Sequence, residues 1–360
     1  MTKIRVGIIF GGKSAEHEVS LQSAKNVVEA LDNNKYEPVL IGIDKNGGWH
    51  LQNSANFLLN ASNPKLIALN KSNQDLAVTP GKDNKLMVMA SKANQSVDVV
   101  FPILHGTYGE DGTMQGLLKL LDMPFVGPSV LGSAMAMDKD VAKRLMRDAG
   151  IPVAKFLVFR KNEEVDFQVI QKTLGLPVFI KPANLGSSVG INKAKTQEEF
   201  TQAVSEAFKF DNKILVEEAV TGREIECAVL GNENPKASVP GEVIPRHEFY
   251  SYEAKYIDEN GAVLEIPAKL NEQEIKLIQE LAVKAFKVLE LEGMSRVDFF
   301  LKPNGEALVN EVNTIPGFTK ISMYPKLWEA SGLAYSELID RLIELAIQRH
   351  SKETKLKTTY

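Results

Sequence analysis

The chain has 360 residues, 44% hydrophobic and 24% charged, the balance of an ordinary globular protein with room for two or three domains. A formal net charge of −4 with no basic face argues against nucleic acid as a partner, and no run approaches the ~18 apolar residues of a membrane span. The one cysteine, Cys227, rules out an internal disulfide framework; with an N-terminal apolar stretch too short for a signal peptide, the expected location is the cytoplasm.

"IRVGIIF" opens the chain as a continuous β-branched run, the mark of a strand covered on both faces. A Gly-rich loop, a helix near Ser20–Leu31 and the strand "YEPVLIGID" follow, which is a βαβ opening. Residues 50–95 are polar and irregular, with no element assigned. "VDVVFPIL" is another buried strand, ending in the loop "HGTYGEDG" before a helix near Thr113–Leu121 and a short strand "PFVG". Ligands of open α/β sheets gather at the carboxyl ends of the strands, where the loops "GGKSAEHE" and "HGTYGEDG" fall. Beyond Pro128, Asp138 is placed to cap a helix running to about Ala149, which Gly150 and Pro152 stop. The strand "LPVFIKPA", the loop "NLGSSVGI", the helix "TQEEFTQAVSEAFKF" and the strand "KILVEEAV" form a second unit. A third begins at "TGREIECAVLG" and holds helices over Asn271–Leu289 and Tyr335–His350, the latter with Leu338, Ile339, Leu342, Ile343 and Leu345 on one side.

The stretch "RVDFFLKPNGEALVNEVNTIPG" has the alternation of a β-hairpin, yet carries charged and amide groups where an apolar face belongs. Asn304-Gly305 read as a two-residue type I′ loop sets Asp298 opposite Glu311 and Arg296 opposite Asn313, all on one face. Two carboxylates directly across a ladder repel. The face is either a solvated surface with an Arg296–Asp298 ion pair or a platform for a hard cation, and the cross-strand acidic pair favours a cation such as Mg²⁺ bridging substrate phosphates.

Other motifs are weaker individually. "KPANLGSSVG" joins Lys181 to a loop of glycines and serines whose N–H groups and hydroxyls suit phosphate oxygens, or form a flexible hairpin. No G-x-x-x-x-G-K-[ST] string and no G-x-G-x-x-G occur, which disfavours a P-loop or a Rossmann dehydrogenase. Glu217, Glu218 and Glu224 surround a strand–loop junction and suit an adenine amine or ribose hydroxyls, or plain surface acidity. "EFYSYEAKYIDENG" is aromatic enough to pack onto something, as a water-excluding lid or as a surface loop. Cys227 fits a buried apolar position better than a nucleophile.

Taken in order, "GGKSAEHEVSLQSA", "HGTYGEDGTMQG", "AMDK", "IKPANLGSSVG", "YEAKY", "RVDFF" and "NEVNTIPGF" resemble the D-alanine–D-alanine ligase family of the ATP-grasp superfamily, from Gly11 to Met323. The resemblance implies a three-domain fold of α/β and α+β units: 1–127 an open α/β substrate-binding domain, 128–217 a central domain, and 218–360 a C-terminal domain with metal site and lid. Nucleotide is then held between two antiparallel sheets. It implies ATP as co-substrate, with Lys139 and Lys181 on its phosphates beside Gly186 and Ser188. Glu217, Glu218 and Ala219 are expected at adenine and Glu224 at ribose. Two Mg²⁺ ions, replaceable by Mn²⁺, are expected on Asp298, Glu311 and Asn313. Arg296 and the N–H of Gly317 match an oxyanion hole. Glu16 matches the site of the first substrate's ammonium, with Ser187 and Tyr256 linking it to the lid. Lys255, Ser322 and Met323 match the second carboxylate's site, and His105 lies near the first substrate. A homodimer is implied as well.

Overall fold

The computed structural model describes residues 2–53, 56–61, 63, 66–70, 76–80, 86–90, 93–245 and 262–357. The proposed lid, with Lys255 and Tyr256, lies outside them.

Strand β1 (Ile4–Gly11) is the centre of the first sheet. Helix α1 (His17–Ala30) carries the chain to β2 (Tyr36–Ile43), parallel to β1, and β3 (Trp49–Gln52) returns antiparallel beside β2. Within the stretch left unassigned, β4 (Leu58–Leu59) pairs with β5 (Ala68–Leu69), and β6 (Leu76–Pro80), β7 (Leu86–Ala90) and β8 (Ala93–Val97) form a meander. None of these strands was assigned from the sequence: runs of two to five residues are too short for a period to show. Strand β9 (Val99–Ile103) then pairs with the other edge of β1, giving the order β3-β2-β1-β9. The chain leaves β1 on one side and returns on the other, so the carboxyl end of β1 is a switch point where two loops part and leave a crevice.

The continuous apolar pattern of β1 reflects burial on both faces. Val6, Ile8 and Phe10 pack with α1 and the last helix, whereas Ile9 faces the other way, with Leu118 of α2 (Thr113–Leu120). "PFVG" forms only a single bridge, Phe125 to Val100, rather than a strand.

Helix α3 (Val130–Met137), not foreseen because its sequence is apolar without period, precedes α4 (Lys139–Asp148). Asp138 caps α4 as expected, accepting from the N–H of Val141 at 3.1 Å. The central sheet contains β10 (Phe156–Arg160), β11 (Val178–Pro182), β12 (Asn192–Ala194) and β13 (Lys213–Glu218), all antiparallel in the order β10-β13-β11-β12. Helices α5 (Phe167–Leu174), also unforeseen, and α6 (Gln197–Phe210) close one face around Phe200 and Ile180. A capping box fixes where α6 starts: Thr196 accepts from Glu199 N–H and Glu199 accepts from Thr196 N–H.

The last sheet holds β14 (Arg223–Gly231), β15 (Lys236–Ala237), β16 (Gly241–Pro245), β17 (Ala262–Glu265), β18 (Gly293–Leu301) and β19 (Ala307–Asn313). Helix α7 (Glu272–Val288), capped by Asn271, covers one face with Phe286 and Ile278. Helix α8 (Met323–Ala330) was not foreseen. Helix α9 (Tyr335–Glu353) buries the five apolar residues read from its sequence, not on its own sheet alone but in the core shared with β1 and α1.

The β18–β19 turn corrects the sequence reading. Lys302 N–H donates to Glu306 O at 2.9 Å, which makes a three-residue loop of Pro303, Asn304 and Gly305, with Gly305 alone at positive φ (+83°). A two-residue loop would require an N–H from Pro303, which proline lacks. The longer loop displaces the ladder by one residue, and a bulge at Asn310 displaces it back. Asp298 therefore still faces Glu311, and Arg296 still faces Asn313, as expected.

Candidate active site

Glu16 ends the first loop just ahead of α1, and its carboxylate accepts a short hydrogen bond from Ser187 Oγ. Ser187 lies in the Gly-rich loop after β11, where it and Ser188 both take left-handed φ (52° and 61°). Such backbone is uncommon without glycine and turns successive N–H groups toward one side. A Cβ on Gly106 would lie 2.4 Å from Glu16 Oε2, so only glycine lets the second loop of the crevice approach this carboxylate. On that loop Glu110, unforeseen, accepts from the N–H of Gly106 (2.7 Å) and of Ile315 (2.9 Å). Burial, then the charge of Glu16, pushes the Glu110 carboxyl up to about 8, with Arg296 pulling the other way. The two crevice carboxylates and Arg296 are thus close enough to feel one another.

His105 is enclosed. Nδ1 lies 2.9 Å from Ile315 O and Nε2 3.1 Å from Ser23 Oγ, and burial pushes the imidazole down to about 4. Gly317 follows in the same segment; Ser322, ahead of α8, is close enough that a Cβ on Gly317 would meet its Oγ at 2.8 Å. Met323 is the first residue of α8, so its N–H is among those without an intrahelical acceptor.

At the central sheet, Glu217 is buried with a lysine on each oxygen: Lys143 Nζ at 2.5 Å and Lys181 Nζ in a shorter contact. Burial alone would raise the Glu217 carboxyl, but the two lysines override it and hold it at about 2. Lys139 is buried as well, donates to Leu185 O at 2.5 Å, and burial lowers its pKa. Three ammonium groups thus gather where Glu217 and, at longer range, Glu311 supply the opposing charge, an arrangement that suits an added anion. Lys143 was missed in the sequence, although it follows Lys139 by one helical turn on the same face.

Glu217 and Glu218 part company, as neighbours in a strand must. Glu218 accepts from the backbone of Lys155 at 2.8 Å, away from the lysines. Ala219 N–H donates to Pro177 O at 3.2 Å. Glu224 is half-buried on β14, two residues before Glu226.

Glu226, Asp298 and Glu311 stand in one row across β14, β18 and β19. Arg296 grips the Asp298 carboxylate with two 2.7 Å bonds and lies 2.8 Å from Glu226, while Asn313 Nδ2 donates to Asp298 at 2.9 Å. Glu226 was missed, though its alternation with Glu224 places both on the same face as Arg296. Among the described residues no three His, Cys, Asp or Glu groups converge as a metal cage. The donor set is all oxygen, with a guanidinium already gripping Asp298, so it fits a hard cation that brings water and phosphate ligands of its own. The buried Cys227 thiol is pushed up to about 12, which leaves it inert.

Two antiparallel sheets, one with a lysine cluster shared between its β11 and helix α4 and the other with an acidic row, beside an open α/β unit, define the ATP-grasp class of nucleotide-dependent ligases. The D-ala D-ala ligase N-terminus model matches residues 5–128 and the C-terminus model residues 145–344. The chain is 61% identical to the D-alanine–D-alanine ligase of Shouchella clausii, with 100% of this chain and 99% of that one covered. It is 53% identical to D-alanine–D-alanine ligase A of Escherichia coli K12 over the whole of both. Among solved structures, the D-alanine–D-alanine ligase of Coxiella burnetii superposes with a TM-score of 0.86 at 42% identity, covering 99% of this chain and 97% of that one. A D-Ala:D-Ser ligase from Enterococcus faecalis gives 0.84 at 38%, covering 96% and 100%. The chain belongs to the D-alanine–D-alanine ligase family of ATP-dependent ligases.

Proposed function

We propose that this protein joins two D-alanines into D-alanyl-D-alanine for peptidoglycan precursors, with ATP converted to ADP and phosphate. The contact between Glu16 and the phosphate-type loop at Ser187 carries this reading. An ammonium held by Glu16 keeps its own carboxylate within the crevice, near Arg296 and the acidic row. Lys139 and Lys181 neutralise the triphosphate, and Glu217 and the Ala219 backbone meet adenine, with Glu224 at ribose. Glu218 turns away from the lysine cluster, and its contribution is confined to its backbone.

Attack by the first carboxylate on the γ-phosphate gives an acyl phosphate, and the amine of the second D-alanine displaces phosphate from it. Arg296 and Gly317 N–H stabilise the oxyanion of that second step. Ser322 and the Met323 N–H receive the second carboxylate at a helix N-terminus, together with Lys255. Tyr256 and Ser187 join Glu16 to a lid that keeps water from the acyl phosphate. Asp298, Glu311 and Asn313 would hold two Mg²⁺ ions, or Mn²⁺ in their place, which supply charge neutralisation at the phosphates. The domains divide as 1–127, 128–217 and 218–360, and the working form is a cytoplasmic homodimer. No helix among the described residues is long and apolar enough to cross a membrane.

The test is ADP release with ATP and Mg²⁺, comparing D-alanine, L-alanine, and D-alanine paired with D-lactate or D-serine. Release with D-alanine alone, and a dipeptide of matching mass, is the expected result; faster turnover with D-lactate or D-serine would move the second-substrate assignment. Asp298→Asn should raise the Mg²⁺ concentration needed for half-maximal rate, and unchanged turnover at limiting Mg²⁺ would remove the metal platform.

A further inference from the structure

The segment Ile315–Phe318 is held from outside on both sides of Gly317. Ile315 N–H donates to Glu110 at 2.9 Å, and Ile315 O lies 2.9 Å from His105 Nδ1. Phe318 N–H donates to Ser23 Oγ at 3.2 Å, and Phe318 O accepts from Tyr335 Oη at 2.6 Å. Ser23 and His105 are themselves joined, Oγ to Nε2 at 3.1 Å.

These partners fix the protons between Ile315 O, His105, Ser23 and Phe318. A carbonyl only accepts, so His105 Nδ1 carries the hydrogen. Neutral Nε2 then accepts from the Ser23 hydroxyl, whose oxygen accepts from Phe318 N–H. Pro316 has no N–H. Gly317 N–H is therefore the one donor of the segment that this set of contacts does not use. Ser23 and His105 are buried, so each bond lost would leave a polar group without water.

We propose that Ser23, His105, Glu110 and Tyr335 are positioning residues for ligation. They form a brace, reaching from α1, the β9 loop and α9, that aims the Gly317 N–H at the oxyanion. The proposal rests on Gly317 being the oxyanion donor described above. It assigns His105 to the segment carrying that donor rather than to direct contact with the first substrate. Its physical basis is that a backbone N–H has no rotamer of its own; it points where its peptide plane points. The four bonds, to Ile315 and Phe318, fall on the peptides to either side of that plane and so limit how far it can turn.

The experiment uses the full-length protein with Tyr335→Phe, Glu110→Gln and Ser23→Ala, and Tyr36→Phe as comparator. The comparator loses a hydroxyl contact to Asp340 that lies outside the brace. Each brace variant should lower kcat by roughly 10- to 100-fold, a part of the loss known for deleting an oxyanion donor outright, with KM for ATP within about twofold. Tyr335→Phe combined with Ser23→Ala should lose less than the product of the two, since both bonds hold the same residue, Phe318, from its N–H and its carbonyl. Ser23→Thr, which keeps the hydroxyl, should recover rate relative to Ser23→Ala. Unchanged kcat per folded molecule with only a lowered Tm would make the contacts merely structural and overturn the proposal, as would KM for ATP rising in step with the fall in kcat. A second arm needs no substrate: amide hydrogen exchange across residues 314–319 should quicken about tenfold in Tyr335→Phe and Ser23→Ala and not in Tyr36→Phe. Unaltered exchange would also overturn the brace. A wild-type protein without D-alanine-dependent ADP release would instead remove the functional reading, and the exchange arm would still judge the brace.

Discussion

Lys143 and Glu217 form an ion pair with almost no water about it, both about 1% exposed. Such a pair adds little over a well-packed apolar one, but losing one partner strands the other charge. Because Glu217 keeps Lys181, Lys143→Met should cost less in urea unfolding than the ~3–5 kcal/mol of a fully stranded buried charge. It should also loosen ATP binding, because Glu217 would then draw Lys181 alone. His105 sets a pH dependence through its lowered pKa. The unfolded chain takes up a proton near pH 6.5 and the folded one only near 4, so stability is full above 6.5 and falls as pH drops between these values. The loss approaches about 3 kcal/mol by pH 4. Unfolding curves at pH 7 and pH 5 should show it, and His105→Gln should flatten this part of the slope. His105 and Glu217 stand in readable motifs and Lys143 does not, yet the burial of all three belongs to the packing around them.

At the scale of elements, the β18–β19 hairpin carries the most chemistry per residue. Its loop and its bulge are each one residue from a regular hairpin, and the two departures cancel to hold Asp298 against Glu311. Gly305 has open space around it, so Gly305→Ala meets no clash and costs only its left-handed backbone, roughly 1–2 kcal/mol. Unfolding should register that cost while kcat stays unchanged, since the bulge still sets the register beyond it. The helices were legible where a cap and a period agree, as for α4, α6 and α7. They were not legible for α3 or α8, which pack against several elements and so carry no single apolar stripe.

Across the whole molecule, α9 ties the C-terminal region to the first sheet. Buried Arg349 donates to Gly127 O (2.6 Å) and Phe125 O (2.9 Å), lies over the Phe125 ring at 4.5 Å, and reaches Glu292 at 3.3 Å. Arg349→Ala would leave two carbonyls and a carboxylate without this partner and should cost at least about 3 kcal/mol in urea unfolding. Because the same core joins β1, α1 and α9, unfolding monitored from the first sheet and from α9 should coincide in the wild type and separate in this variant.

The sequence by itself determined the buried strand β1, most helix limits, the inert cysteine, the acidic hairpin and the ordered motifs of the family. These are local matters of period, capping and turn chemistry, in which neighbours along the chain decide the outcome. Tertiary structure alone decided that Glu226 joins the acidic row, that Lys143 faces Glu217, and that Glu110 and Ser23 hold the segment around Gly317. Each of those contacts links residues far apart in the chain. The alternation or helical spacing of one segment records which side of it is buried, and leaves open what lies against that side.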